Sequence, residues 1–317
     1  MQNIPLLAHT PPLALSVWTA RGPDARSFLQ GQLTQDTLAL QQRHQLTGLC
    51  TPKGRLLASM QQWALSDEDL AHLCPTELSA GLIKRLSMYI LRAKVRIGLE
   101  DWQVCGLWLG ESELPEGTRV QLDEQLWCLR TRDDPAGRPR AWLAGERSQL
   151  ERWIQSQGSS LETSTSQAWW ASEIRAGWPT VWTQTQDTFV PQMLNFDLLD
   201  GIGFKKGCYT GQEVVARSQY LGKLNRRMFR MTASEPLSEA HPPGADLFLN
   251  GGPDPVGQLV MAADQELLVS VGLEAIQTVL AHEGRLCLGS PEGPPLSLQT
   301  LPYAVPTEPQ QVNRPRL

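Results

Sequence analysis

The apolar positions along this chain fall into short runs with two different periods. Between residues 75 and 89 they recur as Leu78, Leu82, Leu86 and Tyr89, the spacing of one helical face. Between residues 93 and 99, Ala93, Val95, Ile97 and Leu99 alternate with Lys94, Arg96 and Gly98, which predicts a strand. Residues 102–109 and 125–129 predict further strands, and 146–155 a second helix. Pro23 and Asp24 ahead of a short apolar stretch, with Gly31 behind it, supply the start and stop signals of a small helix. Thr51-Pro52-Lys53-Gly54 lies between two apolar runs and predicts a hairpin turn.

Beyond Met231 the pattern changes. A Pro- and Ser-rich stretch, 234–245, is followed by short β-like runs at 246–250, 256–262 and 267–271 with Gly and Pro between them. That predicts a small barrel or sandwich. Residues 132–139 predict a loop, and 156–166, rich in Ser, Thr and Gly, a linker or surface loop. The polar, proline-bearing stretch 306–317 is expected to be disordered.

Composition narrows the class. At 317 residues the chain is too long for one ordinary core. The 41% apolar and 19% charged fractions are those of a globular protein in water, and the net charge of −5 argues against a nucleic-acid coat. No stable nucleic-acid complex is expected. Residues 1–20 carry no charged side chain, yet Pro5, Pro11 and Pro12 interrupt them and no basic segment leads them. We therefore expect no signal peptide, no membrane span and a cytoplasmic protein. The six cysteines are scattered with no CxxC pair, which disfavours a disulfide framework or an autonomous metal site.

The densest chemistry is Lys205-Lys206-Gly207-Cys208-Tyr209-Thr210-Gly211-Gln212-Glu213. A thiol beside two ammonium groups is a candidate nucleophile or metal ligand, and the flanking glycines allow a tight turn. Against this stands the ordinary fate of a free cysteine, which is inert burial. Around it, residues 204–230 hold Lys205, Lys206, Arg217, Lys223, Arg226, Arg227 and Arg230 against Glu213 alone. The segment reads either as a solvated face or as an anion site. Lys84, Arg85, Arg92, Lys94 and Arg96 form a second basic stretch. Gly201, Gly203 and Gly207 miss a dinucleotide-binding spacing by one residue. Of the 11 tryptophans, Trp153, Trp169, Trp170, Trp178 and Trp182 cluster, as core anchors or as a stacking wall for a flat heterocycle.

Phe189-Val190-Pro191-Gln192 together with residues 206–217 resembles the signature of the YgfZ family. These are bacterial folate-binding proteins implicated in iron–sulfur enzyme maintenance and tRNA modification, and relatives of the glycine-cleavage T-protein. Residues 30–36, 52–55, 89–95, 176–179 and 301–303 resemble the family in order and spacing. The resemblance implies an α+β, T-protein-like fold. Two interleaved α/β subdomains would fill residues 1–230 around a central tetrahydrofolate cavity, a C-terminal β-barrel residues 231–305, and a tail 306–317. It places the key thiol at Cys208, with Lys206, Tyr209, Gln212 and Glu213 around it. It places folate contacts at Trp169, Glu173, Arg175, Gln192 and Arg217.

The chain departs from the family at two points. An aromatic position near the N-terminus falls on Leu15, with Trp18 three residues on. A glutamate of the T-protein relatives falls on Arg175, which cannot accept hydrogen bonds from a pterin. Glu173, two residues earlier, shares its face only if the backbone is extended. No aspartate lies between Asp69 and Asp101, where the T-protein uses one for aminomethyl transfer. The expected function is thus a folate-binding accessory protein, monomeric, supporting iron–sulfur proteins and through them tRNA modification, with Cys208 as a transient cluster ligand or one-carbon relay. The rivals are a tetrahydrofolate-dependent transferase and a direct tRNA-binding protein.

Overall fold

The computed structural model describes residues 4–158, 161–220, 224–237 and 241–308. The first strands are β1 (Leu6–His9), β2 (Leu15–Arg21), β3 (His44–Cys50), β4 (Leu56–Ala64), β5 (Leu70–Pro75) and β6 (Arg96–Leu99). Helix α1 (Ala25–Gln30) follows β2, and α2 (Thr76–Ser87) follows β5. Next come β7 (Trp102–Leu109), β8 (Arg119–Asp123), β9 (Leu126–Thr131), β10 (Arg140–Glu146), α3 (Arg147–Ser156), β11 (Glu162–Thr163) and α4 (Ser166–Arg175). Helix α5 (Gln212–Tyr220) precedes β12 (Arg226–Ala233), β13 (Asp246–Leu249), β14 (Pro255–Ala263) and β15 (Glu266–Gly272). Helix α6 (Leu273–Leu280), β16 (Leu286–Leu288) and β17 (Pro295–Gln299) close the fold.

One sheet has the order β3-β4-β5-β2-β6, a second β11-β1-β7-β10-β9-β8. The first strand of the chain therefore joins the sheet built by later segments, and the two α+β halves interleave. The third β-structure is a closed barrel, β12-β15-β14-β13-β16-β17. The chain forms two compact units. One comprises Met1–Thr47 and Met60–Trp169, the other Gly48–Ser59 and Trp170–Leu317. The tip of the β3–β4 hairpin thus belongs to the second unit.

The helical face predicted for α2 is the buried one, with Leu78, Leu82 and Leu86 inside. Glu77 in its first turn and Lys84 and Arg85 in its last complement the helix dipole. In the first unit Cys105, Leu107, Leu109, Cys128, Leu143 and Leu150 share one core. The barrel interior is apolar, with Met231, Leu247, Leu259, Val269, Leu286 and Leu288 at its centre and Ile276 of α6 packed on it. Burying each such side chain stabilises by about 1.5–3 kcal/mol.

Several expectations are corrected. The strand expected over 93–99 starts only at Arg96. The Lys94 N–H donates instead to Asp24 Oδ2 at 2.6 Å, which holds that stretch out of the ladder. Asp24 accordingly makes no side-chain cap on α1. The expected linker 156–166 contains β11, which pairs in parallel with β1. The barrel opens at Arg226, upstream of Met231, because Arg226–Thr232 pair with β15. The expected disordered tail lies from residue 309 onward outside the described residues.

Candidate functional site: the cysteine loop

In the second unit a 3-10 turn, Pro191–Leu194, ends at Asn195, whose φ of 58° is left-handed. The Asn195 side chain bonds both backbone groups of Met228: Nδ2 donates to the carbonyl at 2.8 Å, and Oδ1 accepts from the N–H at 3.2 Å. It stands in for a missing strand partner beside β12. Next to it Arg227 clamps Asp197 through two hydrogen bonds of 2.6 and 2.9 Å, with both side chains buried. Arg227 also donates to the Gln192 carbonyl at 3.3 Å. The Gln192 amide, fully buried, donates to Val215 O of α5 at 2.7 Å. These bonds fix the start of α5 onto the barrel's first strand.

Residues 204–211 run without regular structure into α5. Gly211 carries a φ of 84° just ahead of the helix. A Cβ there would overlap Thr51 O and stand 3.0 Å from Gly54 Cα. Gly54, at φ +72°, has its own Cβ position 2.8 Å from Val214 Cβ. Two glycines thus let the Thr51–Gly54 turn lie backbone to backbone against the first turn of α5. The turn is anchored in its own unit. Arg55 donates to Thr188 O at 2.6 Å, and Leu56 and Asp187 exchange backbone bonds with neighbours at 2.8 Å. The motifs at 52–55 and 206–213, far apart in sequence, are two sides of one contact. Gly207 differs from Gly211: a Cβ there meets nothing within 4 Å, so neither space nor conformation requires glycine at that position.

On this base Cys208 points into solvent, while the other five cysteines, Cys50, Cys74, Cys105, Cys128 and Cys287, are buried. Burial pushes Cys50, Cys74, Cys105 and Cys128 up to about 12. Thiolate chemistry at neutral pH is therefore closed to those four. Tyr209 turns inward where Cys208 turns out. The Lys206 ammonium lies over its ring, 4.9 Å from the centroid. Burial, with the proximity of Cys50 second, raises the Tyr209 phenol well above its ordinary value. Its hydroxyl and the Gln192 Oε1 are buried polar atoms with no hydrogen-bond partner among the described residues. Gln212 is half-buried at the first position of α5, and Glu213 is exposed in its first turn, where a negative charge favours the helix. Arg217 is exposed in the last turn.

The basic segment is not one face. Arg227 is spent on Asp197, Arg230 holds Glu266 at 2.8 and 2.9 Å, and Lys223 lies outside the described residues. Arg175 also approaches Glu266, at 3.6 Å. Because α4 is helical through Arg175, Glu173 and Arg175 point different ways, and the fully buried Glu173 does not share Arg175's face. Sequence reasoning passed over Asp197 and Asn195, because each acts through a partner some 30 residues away.

In the first unit Trp169 is buried among Trp108 at 5.3 Å and Trp142 at 6.1 Å, both edge-on. Gly106 leaves room for its ring, and the buried Arg140 guanidinium stands 5.2 Å from the ring centroid.

A bacterial protein from Escherichia coli (strain SMS-3-5 / SECEC), the tRNA-modifying protein YgfZ, is 30% identical over 246 residues, 74% of each chain. The chain belongs to the YgfZ family. The YgfZ relative from Enterobacter sp. (strain 638) is 28% identical over 316 residues, covering 92% of this chain and 93% of its own. An uncharacterized protein of Haemophilus influenzae is 32% identical over 213 residues, 66% of this chain and 68% of its own. No family model matches. Among solved structures, glycine cleavage system aminomethyltransferase T from Bartonella henselae superposes with a TM-score of 0.71 at 14% identity, covering 94% of this chain and 86% of its own. The fold of this YgfZ-family chain is T-protein-like, with the closed barrel at its C-terminal end. Among the described residues no helix is long and apolar enough to cross a membrane.

Proposed function

We propose that this chain is a folate-binding accessory protein that supports iron–sulfur cluster assembly or repair and, through it, tRNA modification, with Cys208 as its key thiol. The observation that carries the reading is the exposure of Cys208, alone among six cysteines, on a loop fixed from beneath by the Gly211–Gly54 contact. The relatives' name, tRNA-modifying protein, and the T-protein-like fold support the same reading.

Tetrahydrofolate fits the residues present in kind. In the first unit Trp169 and the two indoles and guanidinium packed on it are groups of the kind that take a flat heterocycle. In the second unit, taken by itself, the unpartnered Tyr209 hydroxyl and Gln192 Oε1 are positions for a polar group or water. Exposed Arg217 is the candidate for the anionic tail, while Glu173, Arg175 and Gln192 stay candidates on their own surroundings. Bound folate would supply one-carbon chemistry. The chain's own part is to present Cys208 to an outside reactant, with Lys206, Gln212 and Glu213 shaping the loop. Among the described residues no three His, Cys, Asp or Glu side chains are grouped to hold a metal. A cluster touching Cys208 would draw its remaining ligands from a partner protein or a small thiol.

Added tetrahydrofolate is expected to quench the tryptophan fluorescence saturably, and Trp169→Ala to remove the effect. Cys208→Ala is expected to keep both folding and quenching while abolishing function in cells. Unchanged tRNA thiolation in a strain carrying only Cys208→Ala would sink the role given to the thiol. Absence of saturable quenching in the parent protein would remove the folate claim by itself.

A further inference from the structure

We propose that the last turn of α2 and the turn after it form a docking surface for a protein partner whose contact face is an apolar hollow rimmed by carboxylates. Leu91 is 87% exposed, Met88 63% and Tyr89 47%. A single exposed leucine is ordinary, whereas three large apolar side chains exposed within four consecutive residues mark an interaction site. Around them stand Lys84, Arg92, Lys94 and Arg96, all exposed, with Arg85 half-buried. None of these five cations makes an ion pair among the described residues, and no acidic residue lies between Glu77 and Glu100.

Backbone hydrogen bonds hold the segment at both of its ends. Backbone N–H groups of Met88, Tyr89 and Ile90 donate to Arg85, Leu86 and Ser87, continuing the helix as tight turns. At the far end Lys94 is held by Asp24, and its carbonyl lies against Gly22, where a Cβ would not fit. The backbone that leads into the patch is therefore ordered before binding, and the ordering cost falls on the side chains. Asp24, a failed helix cap, has this as its structural task.

Met, Tyr and Arg are enriched at protein interfaces, while Lys, Asp and Glu are depleted from their core, which assigns Lys84 and Lys94 to the rim. A cationic ring about an apolar centre selects a partner of opposite charge with a matching hollow. Nucleic acid would use the cations and Tyr89 but gains little from Leu91 and Met88, so a protein is the better fit.

The test places the photo-crosslinking residue p-benzoylphenylalanine at Leu91 in the full chain, in bacterial cells, with Leu7, another exposed leucine, as the control position. Expected is a protein adduct specific to position 91, with the crosslinked peptide in an apolar site flanked by Asp or Glu. Its yield should fall at least tenfold when Arg92→Glu and Lys94→Glu are added. Leu91→Asp, at so exposed a position, should leave the thermal midpoint unchanged. The proposal is overturned by an adduct to RNA, lipid or a second copy of the chain, by a protein adduct indifferent to the charge reversal, or by no adduct. Folate binding does not enter any of these outcomes.

Discussion

At Tyr209 a single atom separates a structural from a functional role. Its hydroxyl is buried without a hydrogen-bond partner, a state that costs free energy unless something outside the chain completes it. Tyr209→Phe removes that cost and keeps the ring under Lys206. The variant is expected to be as stable as the parent or more so by about 1 kcal/mol, measured by urea unfolding, while cellular tRNA thiolation falls. Full activity in that variant would show that the hydroxyl does no more than fill space. The neighbouring Cys208 obeys the opposite logic: exposed and making no packing contribution, it is expected to be replaceable by Ala with no change in stability.

The cysteine loop as an element depends on the hairpin tip it meets. Gly211→Ala forces a side chain into Thr51 and demands a left-handed residue, so a loss of about 1–3 kcal/mol is expected. Gly207→Ala should be neutral, since nothing surrounds the position. Thermal unfolding of the two variants separates the readings. Equal losses would mean that loop flexibility matters, and a loss at Gly211 alone that the contact with Gly54 does. The motif is legible in the sequence as two glycines around a cysteine. That only one of them is structurally required is legible only once the Thr51–Gly54 turn is brought against α5. The tryptophan cluster divides in the same way: Trp169 is enclosed by Trp108 and Trp142 from two strands of one sheet, not by its sequence neighbours.

Across the whole molecule, buried histidines contribute to the response to acid. His72 is fully buried, stacked on Trp18 with centroids 3.9 Å apart, and both ring nitrogens lack partners among the described residues. Burial lowers its pKa to about 3. In the unfolded chain the same ring takes a proton near pH ~6.5. Between those values the unfolded state binds the extra proton, so stability is full above about pH 6.5 and declines as the pH falls toward 3. The slope from this one group approaches about 1.4 kcal/mol per pH unit. His44, also lowered chiefly by burial, adds to it. Urea unfolding from pH 7 to 4.5 should show the decline, and His72→Phe should flatten it. An unchanged slope in that variant would assign the acid sensitivity elsewhere.

The sequence by itself determined the period of each element, the β-character after Met231, the cysteine motif and, through its resemblance, the family and the fold. These follow from local spacing and residue type, which a linear pattern carries. Tertiary structure decided which residues are available for chemistry. It turned Arg227 and Arg230 from a basic patch into buried or half-buried ion pairs, and turned Glu173 away from Arg175 by making that stretch helical. It spent Asp24 on Lys94 instead of a helix cap, and joined the Pro52–Arg55 turn to the Gly211 loop. Charge pairing, burial and backbone approach depend on partners distant in sequence. One cysteine among six is left facing water only because the fold buries the rest.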